Sequence, residues 1–404
     1  MRQSRCQAGQ CAGGSPTMKI LHCIYTADPS FGGPSEGVSQ SSLAATAMGH
    51  TVEVASLDSP DAPYLGSFPV PVHPLGPGSL QPYRFSTRYT DWISANAPRF
   101  DVVIVNGIWR YHSFGAWRAL RRRDTPYVLY THGMLDPWFK RYYPLKHLKK
   151  WMYWPWAEYR VIRDAAKVLF TTDEERLLAR QSFSLYRANE VVVGYGTQSP
   201  EGDPEKQREA FAAAFPHLHG KRVALFMGRL HPKKGCDLAI QAFAQVLAAD
   251  PDWALVIAGP DQLGWQAGLS ALARRLNVAE RITWTGMIGG DIKWGAMRFA
   301  EFFFLPSHSE NFGIVVAEAL ACGTPVLTSN KVNIWREVED DGAGLVANDD
   351  LPGAANLLRT WSEMPADGRQ QMRSRARACF AARFEINKVN DNLLDTLEGV
   401  IGTK

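Results

Sequence analysis

From Met18 onward, short runs of β-branched and aliphatic residues alternate with stretches whose apolar residues recur at helical spacing. That alternation restricts a chain to βα units around parallel sheets, and runs that are apolar on both faces suit strands covered by helices on both sides. Six such runs fill the first half: KILHCIYT, HTVEVASL, DVVIVNG, PYVLYTHG, KVLFTT and EVVVGYG. After Gly196 the stretch TQSPEGDPEKQREAFAAAFPHLHG is rich in Pro, charge and turn formers and reads as a linker. The alternation restarts with RVALFMG, ALVIAG, RITWTG, EFFFLP, PVLTSN and GLVAN, and from about Asp367 the pattern is purely helical. The sequence therefore predicts two Rossmann-like, doubly wound α/β domains facing each other across a cleft. Their expected bounds are 18–197 and 220–366, with a linker at 198–219 and C-terminal helices at 367–404 that pack back on the first domain. Residues 1–17 are polar and Gly-rich, lack the apolar segment of a secretory signal, and are expected to be a disordered tail.

Composition narrows the function classes. The 404 residues suffice for two or three domains with full cores, and 46% hydrophobic with 21% charged residues argues against disorder. Lys and Arg at 44 against Asp and Glu at 40 leave a net charge of +4, too mild for a dedicated nucleic-acid binder. No apolar run approaches the roughly 18 residues of a spanning helix. The six cysteines show no ligand spacing, so neither a zinc site nor a disulfide framework is expected, and a reducing, cytoplasmic compartment fits.

Ligands of doubly wound sheets bind beyond the carboxyl ends of strands, and three segments there carry chemistry. In SHSENFGIVVAEALACGTPVL, Glu310 follows a strand, Gly313 allows close backbone approach, and a helix runs on through Glu318. A helix start collects unpaired N–H groups and the positive end of the dipole, which suits a phosphate. The bland alternative makes Glu310 a helix-start carboxylate and Glu318 a solvated residue. IVVAEALA leaves little room for a solvated face, and a buried carboxylate needs a partner. In FMGRLHPKKG, Arg229 and Lys234, or its neighbour Lys233, are cations on a Gly-bounded loop where a departing diphosphate needs neutralising. In ADPSFGGPSEG, Gly32 and Gly33 let amides approach a phosphate, although a Gly pair after a strand is usually just a turn.

Together these segments resemble the retaining glycosyltransferases of family 4, within group 1, which have the GT-B fold; the resemblance runs over nearly the whole chain from Met18. It implies that Arg229 and Lys234 hold the donor diphosphate and stabilise it as leaving group. It implies that Glu310 contacts the donor sugar's hydroxyls beside the amides of Asn311, Phe312, Gly313 and Ile314, and that Glu318 binds the ribose. Gly32 and Gly33 would then close over the phosphates, His132 would face the sugar, and Met287 would contact the base through its backbone. On its own residues, His132 in YTHG reads equally well as a packed core histidine. Asp250-Pro251-Asp252 spells a metal-binding carboxylate triplet, but at the amino end of a strand it reads as a turn, so no metal and no cofactor are expected.

One further segment stands out. DPWFKRYYPLKHLKKWMYWPWAEYRVIR interleaves cations with Trp and Tyr over residues 138–163. Such a face suits an anionic membrane surface, and it suits equally a helix whose aromatics pack on the sheet. The resulting expectation is a metal-independent hexosyltransferase that takes a UDP- or GDP-sugar to a glycan or lipid-linked acceptor in cell-surface polysaccharide assembly, peripheral on the cytoplasmic face of the inner membrane. The alternatives are a sugar-nucleotide epimerase of the same fold and a non-catalytic sugar-nucleotide scaffold.

Overall fold

Two wholly parallel sheets order the chain in the computed structural model, which describes residues 17–402 apart from the side chains of Phe139 and Arg141. The first sheet holds β1 (Lys19–Ile24), β2 (Thr51–Ser56), β3 (Val72–Pro74), β4 (Val102–Asn106), β5 (Tyr127–Tyr130), β6 (Lys167–Phe170) and β7 (Glu190–Val192), in the order β3-β2-β1-β4-β5-β6-β7. The second holds β8 (Arg222–Met227), β9 (Trp253–Ala258), β10 (Ile282–Gly286), β11 (Phe302–Leu305), β12 (Val326–Ser329) and β13 (Gly344–Ala347), ordered β10-β9-β8-β11-β12-β13. In each sheet the order reverses beside a central strand, β1 or β8, which opens a crevice at the carboxyl ends. The central strands β4 and β9 are buried along their whole length, as their unbroken apolar runs require. Separate apolar clusters cover the two faces of the first sheet, and a third forms the core around the second.

Two stretches fold differently from their reading. The expected linker contains the helix Pro204–Ala214, whose Asp203 side chain accepts a hydrogen bond from the Glu205 amide at 2.9 Å. That helix packs on the helix Gly290–Phe299 and buries Phe211 in the second-domain core, so most of the segment is structural. β3 lies inside the Pro-rich stretch SPDAPYLGSFPVPVHPLGPGS, in which no element was legible.

At the hinge, the Thr197 amide donates to the Phe384 carbonyl at 2.9 Å, and the Ile386 amide to the Thr197 carbonyl at 3.1 Å. The helix Ala366–Arg383 packs on the second domain, whereas the helix Ile386–Ile401 returns to the first, burying Leu393, Leu394 and Leu397 in its apolar cluster. The chain thus crosses between domains twice at one place. Residues 1–16 of the expected tail, with Cys6 and Cys11, lie outside the described residues.

Candidate active site

The loop after β8 ends in a short turn, Pro232–Lys234, that Gly235 closes in the left-handed region at φ 68°. A Cβ at Gly235 would strike the Pro306 carbonyl, so this loop and the loop after β11 are in close register. The Lys233 carbonyl accepts from the His308 amide at 2.7 Å and from the Ser307 hydroxyl at 2.9 Å. This anchoring brings the Lys234 ammonium into an ion pair with the Glu310 carboxylate. Burial and the cations Lys233 and Arg229 pull the ammonium down to about 7, while the touching carboxylate works in the other direction. Arg229 is exposed and makes no ion pair among the described residues.

Glu310 is pinned by its backbone: its amide donates to the Lys331 carbonyl at 2.9 Å and its carbonyl accepts from the Asn333 amide at 3.1 Å. Gly313, at φ 78°, then caps the helix Ile314–Ala321. Among the described residues the amides of Asn311, Phe312 and Gly313 donate no hydrogen bond, which leaves the donors of a helix start available. The Phe312 ring is core, packed on Tyr195 and Phe384, so only its backbone is available.

Glu318 is 7% exposed, and its Oε1 lies 2.6 Å from the Lys293 ammonium on the helix Gly290–Phe299. Burial raises the carboxyl above its ordinary value and Lys293 opposes that shift. Its Oε2 is buried with no partner among the described residues, an acceptor still to be satisfied. Glu318 and Ile314 line a cavity of about 420 Å³ with Lys293 and Trp294, the hinge residues Thr197 to Ser199, and Glu36 from the helix Gly33–Ala47. That helix starts at Gly32 (φ 93°) and Gly33, so the first-domain glycine turn and the Glu318 helix border one cleft.

His132 closes the cleft from the first domain. It stands at φ 48°, uncommon for a residue with a side chain, and its ring stacks on Tyr130 with Nε2 3.3 Å from Asn106 Oδ1. Burial, then repulsion by His112 and His22, lowers it to about 3, so the imidazole is neutral and offers a hydrogen bond rather than a charge. The next residue, Gly133, touches the opposite domain: a Cβ there would come within 2.5 Å of Asn311 Cγ. Gly133→Ala is therefore expected to wedge the cleft and strain a backbone held at φ 72°. At about 1–3 kcal/mol of strain, kcat/KM falls roughly 10-fold or more while far-UV circular dichroism is unchanged. An unaltered kcat/KM contradicts the wedge.

Met287 differs from the rest. It follows the edge strand β10 with its side chain 82% exposed, and no described hydrogen bond or ion pair ties it to the other site residues. Asp250 and Asp252 form a turn at the amino end of β9, the Asp252 amide donating to Asp250 Oδ1 at 2.9 Å.

The model of "Glycosyl transferases group 1" matches residues 207–378, and that of "Glycosyl transferase 4-like domain" matches 32–196, so the two together span both domains. The chain belongs to the group 1 glycosyltransferases. Its fold is GT-B. It is similar to D-inositol 3-phosphate glycosyltransferases of Mycobacterium leprae (31% identity over 253 residues, 61% of this chain and 57% of the relative) and Mycolicibacterium paratuberculosis (33% over 245 residues, 59% and 54%). The matched region thus spans little more than half the length of these relatives. Among solved structures, Anabaena Alr3699/HepE in complex with UDP aligns with a TM-score of 0.76 at 20% identity, covering 95% of this chain and 100% of that one.

Several residues that build the cleft escaped the sequence reading. Tyr195 donates to the Gly33 carbonyl at 2.6 Å while its ring meets both His132 and Phe312, tying three site loops together. The buried Glu175 carboxylate accepts from the Gly133 amide at 2.6 Å and from the Thr131 hydroxyl at 2.7 Å, fixing the His132 turn. The pattern Thr172-x-x-Glu175 is a capping-box signal that pointed to it. A first-domain cavity of about 390 Å³ is lined by Tyr25, Phe31, Trp109, Arg110, His112 and Lys150. Trp109 stands at φ 73°, so two of the non-glycine residues held at positive φ beyond the carboxyl ends of the first sheet, Trp109 and His132, border the cleft, while Leu80 and Arg84 stand at positive φ farther along the same end.

The aromatic basic segment divides between its two readings. On the helix Pro144–Tyr153, Lys150 sits 4.4 Å over the Trp109 ring, Tyr153 bonds Tyr83, and His147 stacks on Phe183. Trp154, just beyond, is buried against Phe183. The outer arc of the same helix exposes Leu145, Leu148, Trp151 and Met152, flanked by exposed Lys146 and Lys149. No helix among the described residues is long and apolar enough to cross a membrane.

Proposed function

We propose that the protein is a retaining hexosyltransferase of family 4 that moves a hexose from a UDP- or GDP-sugar to a hydroxyl of a glycan or lipid-linked acceptor in cell-surface polysaccharide assembly. The observation that carries this reading is the contact of Lys234 with Glu310 at the opening of the Glu318 helix. A cation, an acceptor for sugar hydroxyls and undonated amides meet there, each suited to a different part of a nucleotide sugar. The Anabaena HepE structures with UDP and with UDP-glucose, on the same fold, support the choice of donor class.

A donor exchanges the Lys234–Glu310 pair for its own groups: phosphate oxygens take the ammonium and hydroxyls take the carboxylate. Arg229, Lys234 and the helix start stabilise the diphosphate as its bond to the anomeric carbon breaks, and Glu318 holds the ribose through the unsatisfied Oε2. The departing phosphate lies on the face the acceptor approaches and takes the proton of the incoming hydroxyl, which gives retention without a covalent intermediate. Neutral His132 steadies the sugar, and the Gly32–Gly33 turn closes over the phosphates. Neutralisation rests on protein cations, so the reaction is expected to proceed in EDTA.

The acceptor belongs in the first-domain cavity, where Arg110 and Lys150 match a phosphate and Tyr25, Phe31 and Trp109 match sugar faces. Lys150 lies on the helix whose outer arc is apolar and basic, so one helix serves a lipid-linked acceptor at both ends, phosphate inside and bilayer outside. The Leu148→Glu/Trp151→Glu pair is expected to lower binding to phosphatidylglycerol vesicles by roughly 100-fold or more, at about 1.5–3 kcal/mol per buried apolar side chain. Raised salt weakens the wild type through Lys146 and Lys149. Equal sedimentation of variant and wild type contradicts the membrane assignment.

The direct test incubates the protein with radiolabelled UDP-glucose or GDP-mannose and a membrane lipid extract. Label appearing in extractable lipid, with nucleoside diphosphate released, supports transfer. Isomerised donor without any acceptor identifies an epimerase, and the absence of thermal stabilisation by any UDP-, GDP- or ADP-sugar contradicts the whole reading.

A further inference from the structure

Far from the cleft, at the amino ends of β8, β11 and β12, a cavity of about 480 Å³ is lined by Arg208, Lys221, Arg298, Arg373 and Arg377, with Glu301 as the one acid on its wall. Arg298 decides what this cavity is for. Its side chain is 7% exposed, its Nε donates to Gln207 Oε1 at 2.8 Å, and no carboxylate lies within ion-pair distance among the described residues. A buried guanidinium with no counter-charge is costly, and buried charges are retained where something pairs with them.

The neighbours do not neutralise it. Glu301 already faces Arg222 at 3.5 Å, and among the described residues Arg208 meets only Glu205, at 3.8 Å on its own helix. Arg373 donates to the carbonyls of Ala300 and Glu301 at 3.0 Å each. Arg377 lies across Gly323, where a Cβ would come within 2.5 Å of its Nε. Burial, together with repulsion by Arg208 and Arg369, holds the Arg373 guanidinium below its ordinary value despite Glu301. The helices Gly290–Phe299 and Ile314–Ala321 both end here, and two helix carboxyl ends supply roughly one negative charge between them. With Glu301 and the Glu205 partner of Arg208 both counted in full, about two of the five positive charges remain unmatched.

We propose that this cavity binds a small anion carrying two or more phosphate groups, at a site separate from the cleft. Four of its five cations are Arg, whose planar fork matches phosphate oxygens in pairs, and its volume is that of a metabolite-sized pocket. The occupant touches the two helices that carry Lys293 and Glu318, each at the end opposite the cleft.

The test is isothermal titration of sodium tripolyphosphate, in buffer free of phosphate and sulfate, into the wild type, Lys234→Met, Arg208→Glu and Arg377→Glu. Both arginines are exposed, so these variants keep the fold, which circular dichroism checks. A binding event retained in Lys234→Met and weakened at least about 10-fold in both arginine variants establishes the site. Equal affinity in the arginine variants and the wild type, or no binding to Lys234→Met, overturns it. Because Lys234→Met removes the cation proposed for the donor, that arm reads the cavity whether or not the cleft takes nucleotide sugars. Vesicles with a bisphosphorylated headgroup, run in parallel, tell a lipid source of the phosphates from a soluble one.

Discussion

Replacing Lys234 by Met is expected to lower kcat/KM for glycosyl transfer by about 10²–10³-fold, the usual loss on removing one preorganised group that meets developing charge. The lysine is fixed on both sides: His231 accepts its amide at 2.8 Å, and Gly235 turns the chain where a Cβ would meet Pro306. Met keeps the length of the side chain and removes only the ammonium, so a loss of this size reports charge rather than packing. The pH profile carries a second signature. Burial and the cations Lys233 and Arg229 hold the ammonium below its ordinary value against the pull of Glu310, so the free enzyme loses this cation on the alkaline side and kcat/KM falls there. The residual activity of Lys234→Met lacks that limb. A variant with unchanged kcat/KM, or one that keeps the alkaline limb, shows that Lys234 does not meet the diphosphate.

Glu318→Leu is expected to weaken UDP or GDP binding roughly 10–100-fold, the loss of one hydrogen bond to a charged group. It also strands the Lys293 ammonium, whose partner at 2.6 Å disappears. Breaking a buried pair costs about 3–5 kcal/mol, and the partial exposure of Lys293 brings the expected cost here to about 2–3 kcal/mol. Urea unfolding reads the second effect and calorimetric titration the first. Glu318→Gln separates them, since its one amide oxygen keeps an acceptor for Lys293 while the NH2 turns a donor toward the ribose, so stability is largely kept and nucleotide binding still falls. A Glu318→Leu protein that binds nucleotide as the wild type does contradicts the ribose assignment.

The sheets were legible because their strands are short, apolar and bounded by turn formers, which holds for twelve of the thirteen. β3 was not, because three residues at a sheet edge, with Pro74 among them, leave no periodicity. The helix Pro204–Ala214 hid for a related reason: of its 11 residues only Gln207 and Phe211 are buried, too thin a stripe to set it apart from a linker. Glu310 and Lys234 stood out as a carboxylate and a cation just after a strand, and Glu318 as a carboxylate inside the apolar helical run IVVAEALA. Their partners did not, since Lys293 stands 25 residues before Glu318 on another helix, and Tyr195 reaches Gly33 across 162 positions. Only the folded chain brings them together. The basic aromatic segment read as one face, yet a single helix sends Lys150 inward and Leu148 outward, a division set by the sheet beneath it.

The claim on which the rest depends is that the second domain holds a nucleoside diphosphate between the Lys234 loop and the start of the Glu318 helix, with the first domain facing it across the cleft. Calorimetric titration of UDP and GDP into the wild type and Lys234→Met measures it most directly. The account predicts that the wild type binds nucleotide in the cleft and that Lys234→Met weakens this binding at least about 10-fold. No binding of either nucleotide to the wild type, or equal affinity in the two proteins, contradicts it.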